Sequence, residues 1–180
     1  MRVRYTLGHL MIVVAVAGMV LWTVSLWGGA MRWTEDDLRV VDPLKMIRDR
    51  PGMFLPDGDR GTGLAKHLEE EARLLGAAWV QVERLADWYL VGSDMDWCRV
   101  GRFRPSDPLD QFRRAWPFPE AGVNSIRSEI LVTAFAEDVF TGTASERRIV
   151  QGGEPPPQVW ELVESRGWRR VVGFRLGKLA

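Results

Sequence analysis

Ile47-Arg48-Asp49-Arg50-Pro51-Gly52-Met53-Phe54, followed after a short polar turn by Gly61-Thr62-Gly63-Leu64, is the stretch on which the reading of this chain turns. Pro51 cannot continue a helix, because its ring removes a backbone donor and crowds the preceding turn. Arg50-Pro51-Gly52 is therefore a helix stop and a turn. The helix it ends begins at Asp42 or Pro43, with proline suited to the first helical position. Leu55-Pro56-Asp57-Gly58-Asp59 reads as a polar turn. Thr62 is then expected to cap the strongest helix, over about 63–75. Leu64, Leu68, Ala72 and Leu75 recur there at helical spacing, and Gly76 ends it.

Working outward, 79–84 and 88–93 alternate as two strands of a hairpin turned at Ala86-Asp87. Asp94-Met95-Asp96 follows as a loop. From 99 to 122 four prolines keep the chain irregular, with one turn of helix opened by Asp107-Pro108. Asn124 or Ser125 is expected to cap a helix over 126–136. Residues 139–143 and 146–151 form a second hairpin. Pro155-Pro156-Pro157 is a stiff connector, 159–164 is helix or strand, and 168–176 is a closing strand. This order predicts an α+β domain over 32–180, with helices on one face of a mixed sheet.

The 180 residues carry 24 basic and 24 acidic side chains, a balance that gives no electrostatic footprint for nucleic acid. One cysteine, Cys98, excludes an internal disulfide. Two histidines make a histidine-based metal centre an unpromising reading, and no metal site is expected. Trp88, Trp97 and Trp116, among nine tryptophans, read as core or pocket filler.

Between Tyr5 and Met31 there is no formally charged residue. A run of this length as a helix matches a hydrocarbon core of about 30 Å. Residues 1–31 are therefore read as a single-pass membrane anchor, with 7–30 as the part in contact with lipid. Trp22, Trp27 and Trp33 suit the interface at its far end. A cleaved signal peptide and a buried soluble helix are the rival readings. Arg2 and Arg4 on one flank face five basic residues within the next 20 on the other, so charge does not fix the orientation. Beyond it, Thr34-Glu35-Asp36-Asp37 reads as a helix start.

The Arg-x-Arg-Pro-Gly-Met-aromatic and Gly-Thr-Gly-Leu pair resembles the opening of the ATP-binding domain of the DNA gyrase B subunit, and so of the GHKL ATPases. The likeness extends weakly over 42–176. It implies a Bergerat-like, truncated nucleotide-binding fold. By that resemblance Glu70 falls at the water-activating glutamate. The Mg²⁺-binding asparagine position becomes Leu74, which has no oxygen to offer a hard cation. Asp94 or Asp96 matches the aspartate that accepts from adenine, without the glycines that open that pocket. Gly122 is what remains of the second glycine-rich loop. The scaffold signature is kept and the phosphate chemistry is not, so ATP and Mg²⁺ are not expected as cofactors. At this length no transducer or DNA-cleavage region, and hence no DNA-topology activity, is expected.

Glu70 also reads simply as one of three consecutive glutamates on a solvated helix face, and Asp94 and Asp96 as a polar loop. Three functions compete: a non-catalytic interaction or ligand-binding module with an unidentified protein partner, a divergent ATP-binding protein or ATPase, and a structural envelope-associated domain.

Overall fold

The computed structural model describes residues 42–55, 58–143 and 145–177. The anchor at 1–31 and the helix start at Thr34 lie outside the described residues. What is described is an α+β fold of four helices and one five-stranded sheet.

Helix α1 spans Pro43–Asp49. The Asp42 side chain accepts from the Leu44 N–H at 3.0 Å, Pro43 takes the first helical position, and Pro51–Met53 continues as a single tight turn. Helix α2 spans Arg60–Leu74, three residues earlier than the sequence suggests. Its cap is Asp59 rather than Thr62. One Asp59 oxygen accepts from Gly61 N–H at 3.0 Å, and the other accepts from the Thr62 hydroxyl at 2.6 Å. A carboxylate is the stronger acceptor at the positive end of a helix, so Thr62 supports the cap instead of forming it. The Thr62 hydrogen bond holds the Asp59 carboxyl below its ordinary range.

Strands β1 (Val80–Leu85) and β2 (Trp88–Ser93) form the first hairpin, with Ala86 at φ 52° in its turn. Helix α3 covers only Glu129–Phe135. The expected cap does not form: Asn124 adopts φ 65°, and Ile126 bridges Pro117 in antiparallel sense, with Arg127 N–H donating to Trp116 C=O at 2.9 Å. Strands β3 (Asp138–Gly142) and β4 (Arg147–Gln151) form the second hairpin. The ambiguous segment is a helix, α4 (Pro157–Arg166), closed by Gly167 in the left-handed region, φ 64°. Strand β5 (Arg170–Arg175) ends the described fold.

The sheet order is β1-β2-β5-β3-β4, and every pair is antiparallel. This corrects the expected mixed sheet. The last strand inserts between the two hairpins and runs against both, so β2 and β3 never pair and no parallel contact arises. Helices on one face only is likewise corrected. Alternate residues of β2 and β5, among them Tyr89, Val91, Val172 and Phe174, pack with α1, α2 and α3. Their neighbours Trp88, Leu90 and Val171 pack with Phe140, Trp168 and, from α4, Val159, Trp160 and Val163. With both faces covered, all six residues of β2 are buried.

On the α4 face an aromatic group fills the layer, with Phe140 4.5 Å from Trp160 and 5.5 Å from Trp88 between ring centroids. Gly173 sits opposite both Leu90 and Phe140, and a Cβ there would lie inside the Phe140 ring envelope. Gly173→Ala is expected to destabilise the domain by about 1–3 kcal/mol through overpacking, seen as a lower midpoint in thermal unfolding.

Candidate functional site

A groove of about 430 Å³ opens between the turn after α1, the outer side of α2 and the 118–128 segment. Met53, Phe54, Leu74, Phe118, Ile126 and Leu131 make its walls, with His67, Glu70, Asn124 and Ser125 as polar members. The two motifs read first in the sequence thus reach one place. The Pro-Gly-Met turn delivers Met53 and Phe54, and the helix opened by the Gly-Thr-Gly segment delivers His67, Glu70 and Leu74. Met53 and Leu74 are exposed at 69% and 53%.

Glu70 lies on the solvated side of α2, 3.7 Å from Lys66 one turn earlier, with both side chains more than half exposed. Leu74, one turn on, supplies no oxygen.

The buried glutamate is its neighbour, Glu71, which is 1% exposed beneath the groove. Glu71 falls three residues after Leu68 and belongs to the apolar stripe of α2, not to its wet face. Its Oε2 accepts from Ser128 N–H at 2.6 Å. Its Oε1 lies 2.6 Å from Arg127 Nε but off the N–H axis, so the contact is ionic rather than a directed hydrogen bond. Arg127 is fully buried and meets Glu129 twice, Nη2 to Oε1 at 3.0 Å and Nε to Oε2 at 3.3 Å. Nη2 also reaches Trp97 C=O and the Gln111 side-chain oxygen, and Nη1 reaches Val100 C=O, each at 3.2 Å. Gln111 in turn donates to Cys98 C=O at 2.7 Å. The Phe118 ring lies 5.5 Å from the guanidinium.

Two carboxyls share this one guanidinium out of contact with water. Burial first, and then the charge of Glu129, pushes the Glu71 carboxyl well above its ordinary range. Burial acts in the same sense on Glu129, but the Arg127 charge and its hydrogen bonds outweigh it and hold Glu129 low. Burial and the Glu129 charge thus favour the protonated form of Glu71, while Arg127 favours the ionised form of Glu129. Cys98 stands at its edge, its thiol 3.7 Å from Glu129 Oε1, and burial pushes that thiol well up. A buried neutral thiol is a poor nucleophile.

The other residues singled out from sequence stand elsewhere. Asp94 accepts from Trp79 N–H at 3.4 Å. Asp96 is gripped by Arg170 of β5 in a fork, Nε to Oδ1 at 2.8 Å and Nη2 to Oδ2 at 2.7 Å. Arg170 also reaches the Thr141 hydroxyl at 3.1 Å. Both Asp96 oxygens are therefore occupied in fixing the loop after β2 to the sheet. Neither aspartate lines the groove. Gly122, at φ 126°, ends the tight turn Pro119–Ala121 and lies between the groove residues Ala121 and Asn124.

Arg127→Ala is expected to cost about 3–5 kcal/mol, because it strands a buried Glu129 charge. Glu71→Gln, which imitates the protonated acid, is expected to change stability at acidic pH by no more than about 1 kcal/mol. The pH dependence has a definite sign. A carboxyl whose folded pKa is raised binds its proton more tightly when folded, so its contribution is fully present below the ordinary value of 4.5 and is lost as pH rises through the folded value. Thermal midpoints measured against pH are expected to fall upward from that point in the wild type, with the slope flattened in Glu71→Gln. At the other cluster, Asp96→Ala is expected to lower stability by about 1.5–3 kcal/mol by unpairing buried Arg170, while Asp94→Ala stays near wild type in the same denaturant titration.

Set beside known proteins, the chain matches no protein-family model, no curated protein and no solved structure.

Proposed function

We propose that this chain is a membrane-anchored, non-catalytic interaction or ligand-binding module on a degenerate ATPase-like scaffold, held at the membrane through residues 7–30. The observation that carries the reading is the state of the groove where both motifs converge. Its carboxylates already have partners, Glu70 with Lys66 and Glu71 with Ser128 and Arg127, and its walls are apolar. General acid–base work needs a group free to exchange a proton with substrate, and phosphate chemistry needs an oxygen-rich cation site. This groove suits an apolar group of a ligand or partner instead, with His67, Asn124 and Ser125 to orient it.

The resemblance to the gyrase-type ATPases enters as a scaffold likeness: a turn and a capped helix presenting the residues that wall a groove. Two measurements test the proposal. Full-length chain in detergent is titrated with Mg-ATP while thermal midpoint and the ¹³C-methyl signal of Met53 are followed, and neither is expected to move. A saturable stabilisation lost in Glu70→Gln would replace the module with an ATP-binding protein. Membranes carrying the chain are washed with alkaline carbonate, and it is expected to stay in the pellet. Release into the supernatant would remove the anchor.

A further inference from the structure

Strand β4 is an edge of the sheet, with no described strand paired on its outer side. In the second hairpin Thr143 N–H donates to Glu146 C=O at 2.8 Å, which makes 143/146 a hydrogen-bonded pair. Alternation then puts Thr141/Arg148 in the next such pair and leaves Gly142/Arg147 and Phe140/Ile149 as the non-bonded ones. The backbone N–H and C=O groups of Arg147 and Ile149 therefore point away from the sheet. The side chains of the same two residues line a groove of about 390 Å³ against α4, floored by Trp160.

The groove's charge is one-sided. Glu154, Glu161 and Glu164 face Arg147 alone. Arg147 is drawn onto α4, paired with Glu164 and set over the Trp160 ring at 4.8 Å. It shows how a cation is received here: indole face below and carboxylate beside it. Glu154 and Glu161 are left without a described ion-pair partner. The opposite edge, β1, lines none of the described grooves.

We infer that the outer edge of β4 and the groove beside α4 form a docking site for an extended peptide with Arg or Lys at alternate positions. The peptide adds a sixth strand, exchanging main-chain hydrogen bonds with Arg147 and Ile149. Side chains two apart on an added strand share a face, so alternate basic residues lie over α4, within reach of Glu154 and Glu161. The site is separate from the groove along α2 and does not depend on it. Edge strands are ordinarily protected by outward charge, but here Arg147 is held over Trp160 and leaves the ladder open.

The test uses the full chain in zwitterionic phosphatidylcholine nanodiscs, which offer no anionic lipid to a basic peptide. The probe is the capped peptide Thr-Arg-Val-Arg-Val-Thr, titrated by calorimetry with amide exchange read by NMR. The expected result is saturable binding with Kd on the order of 10 μM, with slowed exchange at the Arg147 and Ile149 amides. The Glu154→Lys/Glu161→Lys variant should bind on the order of tenfold more weakly. A peptide N-methylated on the ladder side, which needs no change to the protein, should not bind. Absence of saturation, equal affinity for a peptide with Glu in place of Arg, or slowed exchange at β1 instead would each overturn the inference. So would a dimer in sedimentation whose Arg147 and Ile149 amides are already protected without peptide, since a second copy would then hold the edge.

Discussion

Arg127 is the point on which the described domain is assembled. One guanidinium, with no access to water, satisfies acceptors from α3, the 97–100 turn and Gln111, and balances Glu71 of α2. Buried ion pairs are seldom chosen for stability alone, because desolvation cancels much of the attraction. They do fix geometry, because a planar five-donor fork accepts few arrangements of its partners. Residues 94–128 contain no strand and no long helix, and such a segment has little regular hydrogen bonding to define its path. The Arg127 fork defines it instead. Asp96–Arg170 repeats the device at smaller scale, tying the loop after β2 to β5, and Asp138–Arg175 pairs residues that face each other across β3 and β5.

This arrangement explains what the sequence made legible. The first hairpin follows from alternation, the second from its turn residues and the closing strand from its Val and Phe content, and their observed limits lie close to the expected ones. Pro157 and Gly167 bracket α4, but its short apolar pattern, Val159, Trp160 and Val163, fits either period. The start of α3 was misplaced for an instructive reason. Ser125-Ile126-Arg127-Ser128-Glu129 has the composition of a helix opening, yet Arg127 must leave the helix to reach its carboxylates. Tertiary electrostatics overrode local propensity there. Sheet order was out of reach, because nothing in β5 announces that the last strand goes to the middle.

The site was half legible. The turn and helix motifs pointed to the groove that their residues line. The gyrase-like spacing points to Glu70 among the three glutamates, whereas the apolar stripe Leu64, Leu68, Ala72 places Glu71 on the inner face. Asp96 could not be told from Asp94, since its partner Arg170 lies 74 positions away.

The place of β5 has a bearing on how the chain reaches this state. Both hairpins are synthesised before the strand that joins them, so until β5 arrives β2 and β3 each keep an edge of unpaired backbone groups. A closing strand that must enter between two hairpins is the kind of element that two copies exchange in a domain swap. The buried arginine at the head of β5, with its carboxylate waiting in the loop after β2, rewards the correct insertion and leaves a misregistered one with an unpaired charge. Arg170 thus couples the register of β5 to the pairing of a buried charge.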